Sequence, residues 1–316
     1  MEFTSVQNGA IALNVAVAGR GPLILCVHGW PELWYSWRHQ LAHFSKAGYT
    51  VAALDVRGYG GSSKPHDIAA YSLREIASDV AAVIDALGGG RGILFGHDWG
   101  APIVWASARL HADKVAAVAG LSVPHIPFGQ VSLIDLAKEL FKDRFFYQLY
   151  FQEEGVAEAE LEADIRATLR KTYYAGCGSA PLDKLMERKP PDAKFLDGMI
   201  DPDPFPNWLS EDGLEILVAA FKGSGFRGPL NRYRAQNIDF QELKALPPMI
   251  AQPAFFVAGE RDPVRNMIAG VDLYQAAGVA CADFRGCVLV PGAGHWIQQE
   301  APRETNDALG AFLGGL

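Results

Sequence analysis

The sequence predicts an α/β fold in which a mostly parallel sheet is flanked by helices and interrupted by a helical cap. In residues 1–126, short apolar runs of the kind buried on both faces of a sheet alternate with segments of helical periodicity. This alternation stops between residues 127 and 245, where helical segments alternate with Pro- and Gly-rich loops, and it returns in residues 246–316. We therefore expect a two-part core formed by residues 1–126 and 246–316, with a cap formed by residues 127–245 and inserted after the sixth strand.

The individual elements follow from local patterns. The Asn8-Gly9 pair between two alternating segments predicts a β-hairpin. Predicted strands are 22–27, 49–55, 92–95, 115–122, 253–258 and 287–290, and predicted helices are 33–47, 72–87, 132–142 and 156–171. Because parallel strands end at one edge of a sheet, we expect the functional site in the loops that follow these strands.

The segment Gly96-His97-Asp98-Trp99-Gly100 lies between a predicted strand and a helix-periodic run. A glycine two residues on either side of a central residue is typical of a nucleophile elbow, in which a sharp turn lifts the nucleophile above the sheet edge. Asp98 stands where the familiar version has Ser. A carboxylate that attacks an sp3 carbon forms an ester, which water can cleave with help from a general base. The alternative is that Asp98 only caps the following helix.

Two further residues lie after late strands, at the same predicted edge. Asp262 follows the strand at 253–258, and His295 follows the strand at 287–290. The order nucleophile, acid, histidine is the one expected for a catalytic triad on this type of sheet. Each residue taken alone could be structural, Asp262 in a turn and His295 as one of 8 histidines. The combination favours catalysis.

Bulk properties exclude several classes of function. A net charge of −8 argues against nucleic acid or an anionic membrane as the main partner. We find no signal peptide and no apolar run long enough to span a bilayer. The four cysteines lack the spacing of a metal site or a disulfide framework. A cytoplasmic location fits these features. The glycine-rich turn 57–63 lacks the order of residues required of a phosphate-binding loop.

The chain resembles the α/β-hydrolase superfamily, and within it the epoxide hydrolases. The segments His28-Gly29-Trp30-Pro31, 96–100 and 294–296 are similar to core motifs of that family. The resemblance implies a cis peptide before Pro31 and an oxyanion hole formed by the backbone N–H groups of Trp30 and Trp99. It covers essentially the whole chain and is especially close to the hydrolase domain of soluble epoxide hydrolases. Trp30 and Trp99 could also simply pack in the core.

Two cap segments, 146–152 and 227–233, resemble those that give epoxide hydrolases their tyrosine pair, here Tyr147 and Tyr233. A phenol remains protonated at neutral pH and can protonate the alkoxide formed when an epoxide opens. Either tyrosine could instead serve only in packing, and Tyr150 in the same segment is expected to do so. His28 and Pro31 are secondary site residues. Glu32 either orders the hydrolytic water or forms a surface salt bridge.

The resemblance implies hydrolysis of an apolar or aromatic epoxide to a vicinal diol. Asp98 forms a hydroxyalkyl ester, His295, oriented by Asp262, activates water, and neither a metal nor an organic cofactor is required. The protein would thus be a hydrolase acting on ether bonds. By family analogy we expect a homodimer. Detoxification, carbon use and lipid signalling are all compatible with this chemistry.

The main alternative is a haloalkane dehalogenase, which uses the same type of nucleophile. Trp99 suits a halide site, but Trp30 stands where such enzymes usually have Asn. A fluoroacetate dehalogenase would have arginines just after the nucleophile, an esterase would have Ser at position 98, and a silent binding protein would have an incomplete triad.

Overall fold

The computed structural model describes residues 1–181, 188–268 and 270–316. Its strands are β1 (Glu2–Asn8), β2 (Ile11–Gly19), β3 (Leu23–Val27), β4 (Thr50–Leu54), β5 (Gly92–His97), β6 (Val115–Leu121), β7 (Ile250–Gly259) and β8 (Cys281–Val290). Within the described residues they form one sheet in the order β1-β2-β4-β3-β5-β6-β7-β8. The β1–β2 and β2–β4 pairs are antiparallel, and every pair from β4 to β8 is parallel. The predicted fold class is confirmed.

The central strands are buried on both faces, as their continuous apolar runs predict. All five residues of β3 and all six of β5 are buried. Alternate residues of β3 enter opposite layers, with Leu25 in one apolar cluster and Ile24 and Cys26 in the other. The predicted hairpin is present, since Asn8 pairs with Ile11 across a turn.

Helices cover both faces of the sheet and supply the insertion. Those of the first core segment are α1 (Arg38–Lys46), α2 (Leu73–Leu87) and α3 (Gly100–Leu110). The insertion carries α4 (Leu133–Leu140), α5 (Tyr147–Tyr150), α6 (Val156–Ala163), α7 (Ile165–Gly176), α8 (Glu211–Ser224), α9 (Arg227–Arg234) and α10 (Gln236–Leu243). The chain ends with α11 (Ile297–Glu300) and α12 (Pro302–Gly314).

The prediction of a single helix over residues 156–171 is wrong. The structure has two helices there, α6 and α7, because Asp164 adopts an extended conformation between them (φ −145°, ψ 91°). Its side chain accepts a hydrogen bond of 2.9 Å from Ala167 N and so caps α7. The second helix continues to Gly176. Periodicity alone misses this break, since both helices bury apolar residues.

Between the end of β6 and the start of β7, the described residues form helices and loops and contain no strand. This agrees with a helical insertion after the sixth strand, while the division at residues 126/127 and 245/246 stays a prediction. None of the described helices has both the length and the apolar character that crossing a membrane demands.

A buried ion pair holds α9 against the core. The Arg232 guanidinium, 2% exposed, donates to Tyr71 O and pairs with Asp239. In turn, Asp239 Oδ1 accepts a hydrogen bond of 2.6 Å from Leu73 N at the start of α2. The next residue on α9 is Tyr233, so this contact fixes the part of the helix that matters for the site.

Candidate active site

Asp98 lies at the sharp turn between β5 and α3. Its φ of 51° lies in the left-handed region, which is uncommon for a residue other than glycine and is often found where a side chain is presented for function. The flanking glycines are required by space: a Cβ on Gly96 would come within 2.2 Å of Gly100 O, and one on Gly100 within 1.9 Å of Val27 O. The turn therefore has the geometry of a nucleophile elbow, with the Asp98 side chain 16% exposed.

The structure brings Asp98, His295 and Asp262 together, although Asp98 and His295 lie 197 positions apart. His295 Nε2 lies 3.3 Å from Asp98 Oδ2, and His295 Nδ1 lies 3.1 Å from both carboxylate oxygens of Asp262. Asp262 is 2% exposed and also accepts a hydrogen bond of 2.9 Å from Val264 N. The imidazole thus has a carboxylate on either side, one facing the cavity and one buried.

The charges around His295 favour its protonated form. Burial by itself lowers the pKa of the imidazole, but the carboxylates of Asp262 and Asp98 outweigh this effect and hold the pKa well above its ordinary value. His295 in turn lowers the pKa of Asp262, which burial alone would raise. An imidazolium between two carboxylates is therefore the resting arrangement.

Backbone N–H groups lie beside the Asp98 carboxylate. Trp30 N donates a hydrogen bond of 2.6 Å to Asp98 Oδ1. A Cβ added to Gly29 would lie 2.2 Å from Asp98 Oδ1 and 2.5 Å from Trp99 N. The backbone nitrogen of Trp99 therefore also lies near this carboxylate. The Trp30–Pro31 peptide is cis, as the resemblance implies. Trp30 N is thus a donor to the Asp98 carboxylate, while the oxyanion hole formed by Trp30 and Trp99 stays a prediction.

Tyr147 on α5 and Tyr233 on α9 lie close together above Asp98. Their ring centroids are 5.9 Å apart at an interplanar angle of 79°, and the Tyr233 ring lies edge-on to Trp99 at 5.2 Å. Burial raises the pKa of each phenol, and the negative charge of Asp98 adds to this. Both hydroxyls therefore remain protonated well beyond neutral pH. Tyr150 differs, since its hydroxyl donates to Glu160 Oε2 at 2.8 Å.

A cavity of about 530 Å³ connects these groups. Asp98, Trp99, Tyr147 and Tyr233 line it. Most of the remaining wall is apolar and comes from α3, the loop after β6, α4 and the loop after β7, including Trp105, Val123, Ile126, Leu136 and Ile268. Its size and character suit a small apolar or aromatic molecule.

Glu32 lies close to Asp98 and His295 and is fully buried, so the surface salt bridge considered as an alternative is wrong. Burial alone would raise its pKa, but His97 lowers the pKa to about 2. Gln298 Nε2 and Gln299 Nε2 donate to Glu32 Oε1 at 2.9 and 3.0 Å. The role of Glu32 in ordering the hydrolytic water stays a prediction.

His97 connects Glu32 to His295. Its Nδ1 lies 2.7 Å from Glu32 Oε2, and its Nε2 lies 2.7 Å from the backbone oxygen of His295. Both neighbours are acceptors, so both ring nitrogens must carry a hydrogen. The result is a buried ion pair that fixes the backbone of His295. Ser122 Oγ donates to the same carbonyl at 2.8 Å.

The predicted secondary residues His28 and Pro31 flank Gly29 and Trp30, and both are hydrogen bonded. His28 Nε2 accepts a hydrogen bond of 3.1 Å from Val56 N, so Nδ1 carries the hydrogen and donates to Gly29 O at 2.8 Å. Burial lowers the pKa of His28 and favours this neutral form. Pro31 O accepts a hydrogen bond of 3.0 Å from Tyr173 Oη in the cap.

Sequence reasoning missed the roles of several residues that contact the site. His97 and Ser122 hold the His295 carbonyl, and Gln148 Nε2 donates to Tyr147 Oη at 3.0 Å. His97 and Gln148 each stand next to a predicted site residue, which is the only signal that the sequence offers for them. Ser122 ends the predicted strand 115–122, and its φ of 65° is not evident from the sequence.

Known proteins resemble the chain over nearly its whole length. A family model described as the alpha/beta hydrolase fold matches residues 22–302. Epoxide hydrolase A of Mycobacterium tuberculosis is 41% identical over 318 residues, which cover 98% of this chain and 97% of that protein. The structure of an epoxide hydrolase from an endophytic Streptomyces has a TM-score of 0.95 and 39% identity, covering 99% of this chain and 95% of the other. Epoxide hydrolase A from Mycobacterium thermoresistibile gives a TM-score of 0.91 and 41% identity, covering 100% and 98%.

Proposed function

The chain belongs to the epoxide hydrolases of the α/β-hydrolase fold family, and from this premise we propose how its own residues convert an epoxide to a vicinal diol. The observation that carries the assignment of roles is the cavity itself. Asp98, a carboxylate nucleophile, and the phenols of Tyr147 and Tyr233 line the same space. A carboxylate that faces two phenols can attack a ring carbon while the ring oxygen is protonated from the opposite side.

In the first step, Asp98 opens the epoxide. Oδ1 is held by Trp30 N, so Oδ2 is the oxygen that attacks the ring carbon. The carbon–oxygen bond of the ring breaks as the new ester bond forms, and a phenol of the tyrosine pair gives its proton to the leaving oxygen. The products of this step are a hydroxyalkyl ester and a tyrosinate.

Ester formation prepares the second step by changing the charge around His295. Because the ester is neutral, His295 loses one of the two carboxylates that hold its proton. The tyrosinate, whose conjugate acid has a raised pKa, takes up that proton, directly or through water. His295 is then a neutral base that is still oriented by Asp262.

In the second step, His295 removes a proton from water, and the resulting hydroxide attacks the ester carbonyl. The carbonyl oxygen, which derives from Asp98 Oδ1, becomes an oxyanion between the N–H groups of Trp30 and Trp99. Collapse of this intermediate passes the remaining water-derived proton to the departing diol and regenerates the Asp98 carboxylate. The ion pair between His295 and Asp98 is restored, so the cycle balances.

The assignment is tested by trapping the ester. We expect His295→Gln, mixed with styrene oxide, to gain the mass of one epoxide on the peptide that contains Asp98 and to release almost no diol. Asp98→Asn is the matched control and should gain no mass. Continued diol formation by Asp98→Asn would contradict the nucleophile assignment. Halide release from a bromoalkane, with no diol from any epoxide, would instead support the dehalogenase alternative.

Two further features of the protein stay predictions from the sequence. These are a cytoplasmic location and a homodimer. Size-exclusion chromatography with light scattering tests the second.

A further inference from the structure

The hydroxyl of Tyr147 is hydrogen bonded in a direction that matters for its proposed role. Gln148 Nε2 lies 3.0 Å from Tyr147 Oη. An amide nitrogen can only donate, so the phenol oxygen accepts this bond. The phenol's own hydrogen is thereby left free to point elsewhere. Since Tyr147 lines the cavity that also contains Asp98, its O–H can be directed toward a bound epoxide.

The orientation of the Gln148 amide is itself determined by a second amide. Gln236 Nε2 donates to Gln148 Oε1 at 3.1 Å and to the backbone oxygen of Tyr233 at 3.0 Å. A flipped Gln148 amide would place its NH2 group against another donor. The two glutamines are 6% and 7% exposed, so water competes little for these hydrogen bonds.

We propose that Gln148 and Gln236 are positioning residues, which form an amide relay that directs the Tyr147 hydroxyl at the epoxide and supports its negative charge after proton transfer. This inference rests on the proposed function. As the Tyr147 proton passes to the ring oxygen and the ring bond breaks, Tyr147 Oη becomes anionic. The Gln148 N–H already points at that oxygen, and its hydrogen bond strengthens with the charge.

The relay also connects the two phenols. Gln236 bonds both to Gln148 and to the backbone of Tyr233, so α5 and α9 are coupled at the point where each presents its tyrosine. Two phenols that act on one oxygen atom need a fixed separation. The relay therefore gives Tyr147 a supported role as the proton donor and Tyr233 a fixed place beside it.

The decisive variant is Gln148→Leu, which removes the donor and keeps much of the volume. We expect trans-stilbene oxide to alkylate this variant about tenfold more slowly than the wild type, which is the usual effect of losing one hydrogen bond to a developing charge. The alkylation rate is measured by stopped-flow tryptophan fluorescence. Ester hydrolysis should be unchanged, since His295, Asp262 and the oxyanion hole are not affected. In a Tyr147→Phe background, Gln148→Leu should have no further effect on alkylation.

A second variant separates direction from packing. Gln148→Glu has nearly the same shape, but an ionised carboxylate accepts a hydrogen bond from the Tyr147 O–H and turns that O–H away from the epoxide. We expect it to alkylate more slowly than Gln148→Leu. The matched control is Gln252→Leu, because Gln252 is also 7% exposed and its Nε2 donates to two backbone oxygens, Ala108 O at 2.9 Å and Ala112 O at 3.2 Å, and to neither phenol. Its alkylation rate should remain within twofold of the wild type.

The outcomes distinguish this inference from the proposed function. A wild-type enzyme that makes diol with no ester at Asp98 would overturn both. A normal wild type together with unchanged alkylation in Gln148→Leu would overturn the relay alone. The relay would also be contradicted by a Gln148→Glu variant that alkylates as fast as the wild type, or by equal losses in the Gln148→Leu and Gln252→Leu variants.

Discussion

The buried carboxylate of Glu32 gives a quantitative prediction about stability. Its pKa falls from 4.5 to about 2 in the folded protein, because His97 outweighs the effect of burial. Each pKa unit corresponds to about 1.4 kcal/mol, so the ionised group stabilises the fold by about 3 kcal/mol at neutral pH. Glu32→Gln removes the charge and turns an amide NH2 toward other donors. We therefore expect the free energy of unfolding to fall by about 3 kcal/mol.

The measurement is equilibrium unfolding in urea, followed by circular dichroism at pH 7.5. Glu75→Gln is the matched control, because the Glu75 carboxylate is 51% exposed and Arg57, 3.7 Å away, keeps its own 2.6 Å pair with Asp79. A half-exposed carboxylate of this kind contributes at most about 1 kcal/mol. A group with a depressed pKa stabilises the protein above its unfolded pKa of 4.5 and ceases to do so as the pH falls toward 2. The difference between wild type and Glu32→Gln should therefore shrink below pH 4.5. A loss under 1 kcal/mol at pH 7.5 would refute this account of Glu32.

Three further predictions concern the reaction. Gly29→Ala places a Cβ 2.2 Å from Asp98 Oδ1, so the Asp98 side chain must move. We expect this displacement to slow alkylation more than about 100-fold in a rapid-quench assay, while the circular dichroism spectrum stays unchanged. Asp262→Asn removes a charge that raises the pKa of His295, so His295 becomes a weaker base. Ester hydrolysis should then slow by roughly a thousandfold and the ester should accumulate. Rapid hydrolysis by this variant would contradict the triad. Burial raises the pKa of both cap phenols, so the alkylation rate should stay level from pH 7 to 9.5, and a decline within that range would contradict their role as acids.

Much of the fold could be predicted because its signals are local. The continuous apolar runs at β3 and β5 indicate strands buried on both faces, and the two glycines around Asp98 indicate a tight turn. Asp262 and His295 could be placed beside Asp98 only because parallel strands end at one edge of the sheet. The break between α6 and α7 was not predictable in this way, since it depends on the extended backbone of Asp164.

The interactions that support the site lie largely beyond sequence reasoning. Glu32 was expected near the surface as readily as in the site, and its burial depends on Gln298 and Gln299, which are 266 and 267 positions away. Gln148 stands next to Tyr147, but its function depends on Gln236, 88 positions later. Local patterns predict strands, turns and a candidate nucleophile. The partners that orient those groups are set by how the cap and core pack.

The central claim is that a carboxylate oxygen of Asp98 enters the product. It is tested by a single turnover of trans-stilbene oxide with excess wild-type enzyme in oxygen-18 water, followed by mass spectrometry of the diol and of the peptide that contains Asp98. We predict an unlabelled diol and one labelled oxygen in the Asp98 carboxylate. Label in the first-turnover diol, with none in the peptide, would mean direct attack by water and would contradict the mechanism.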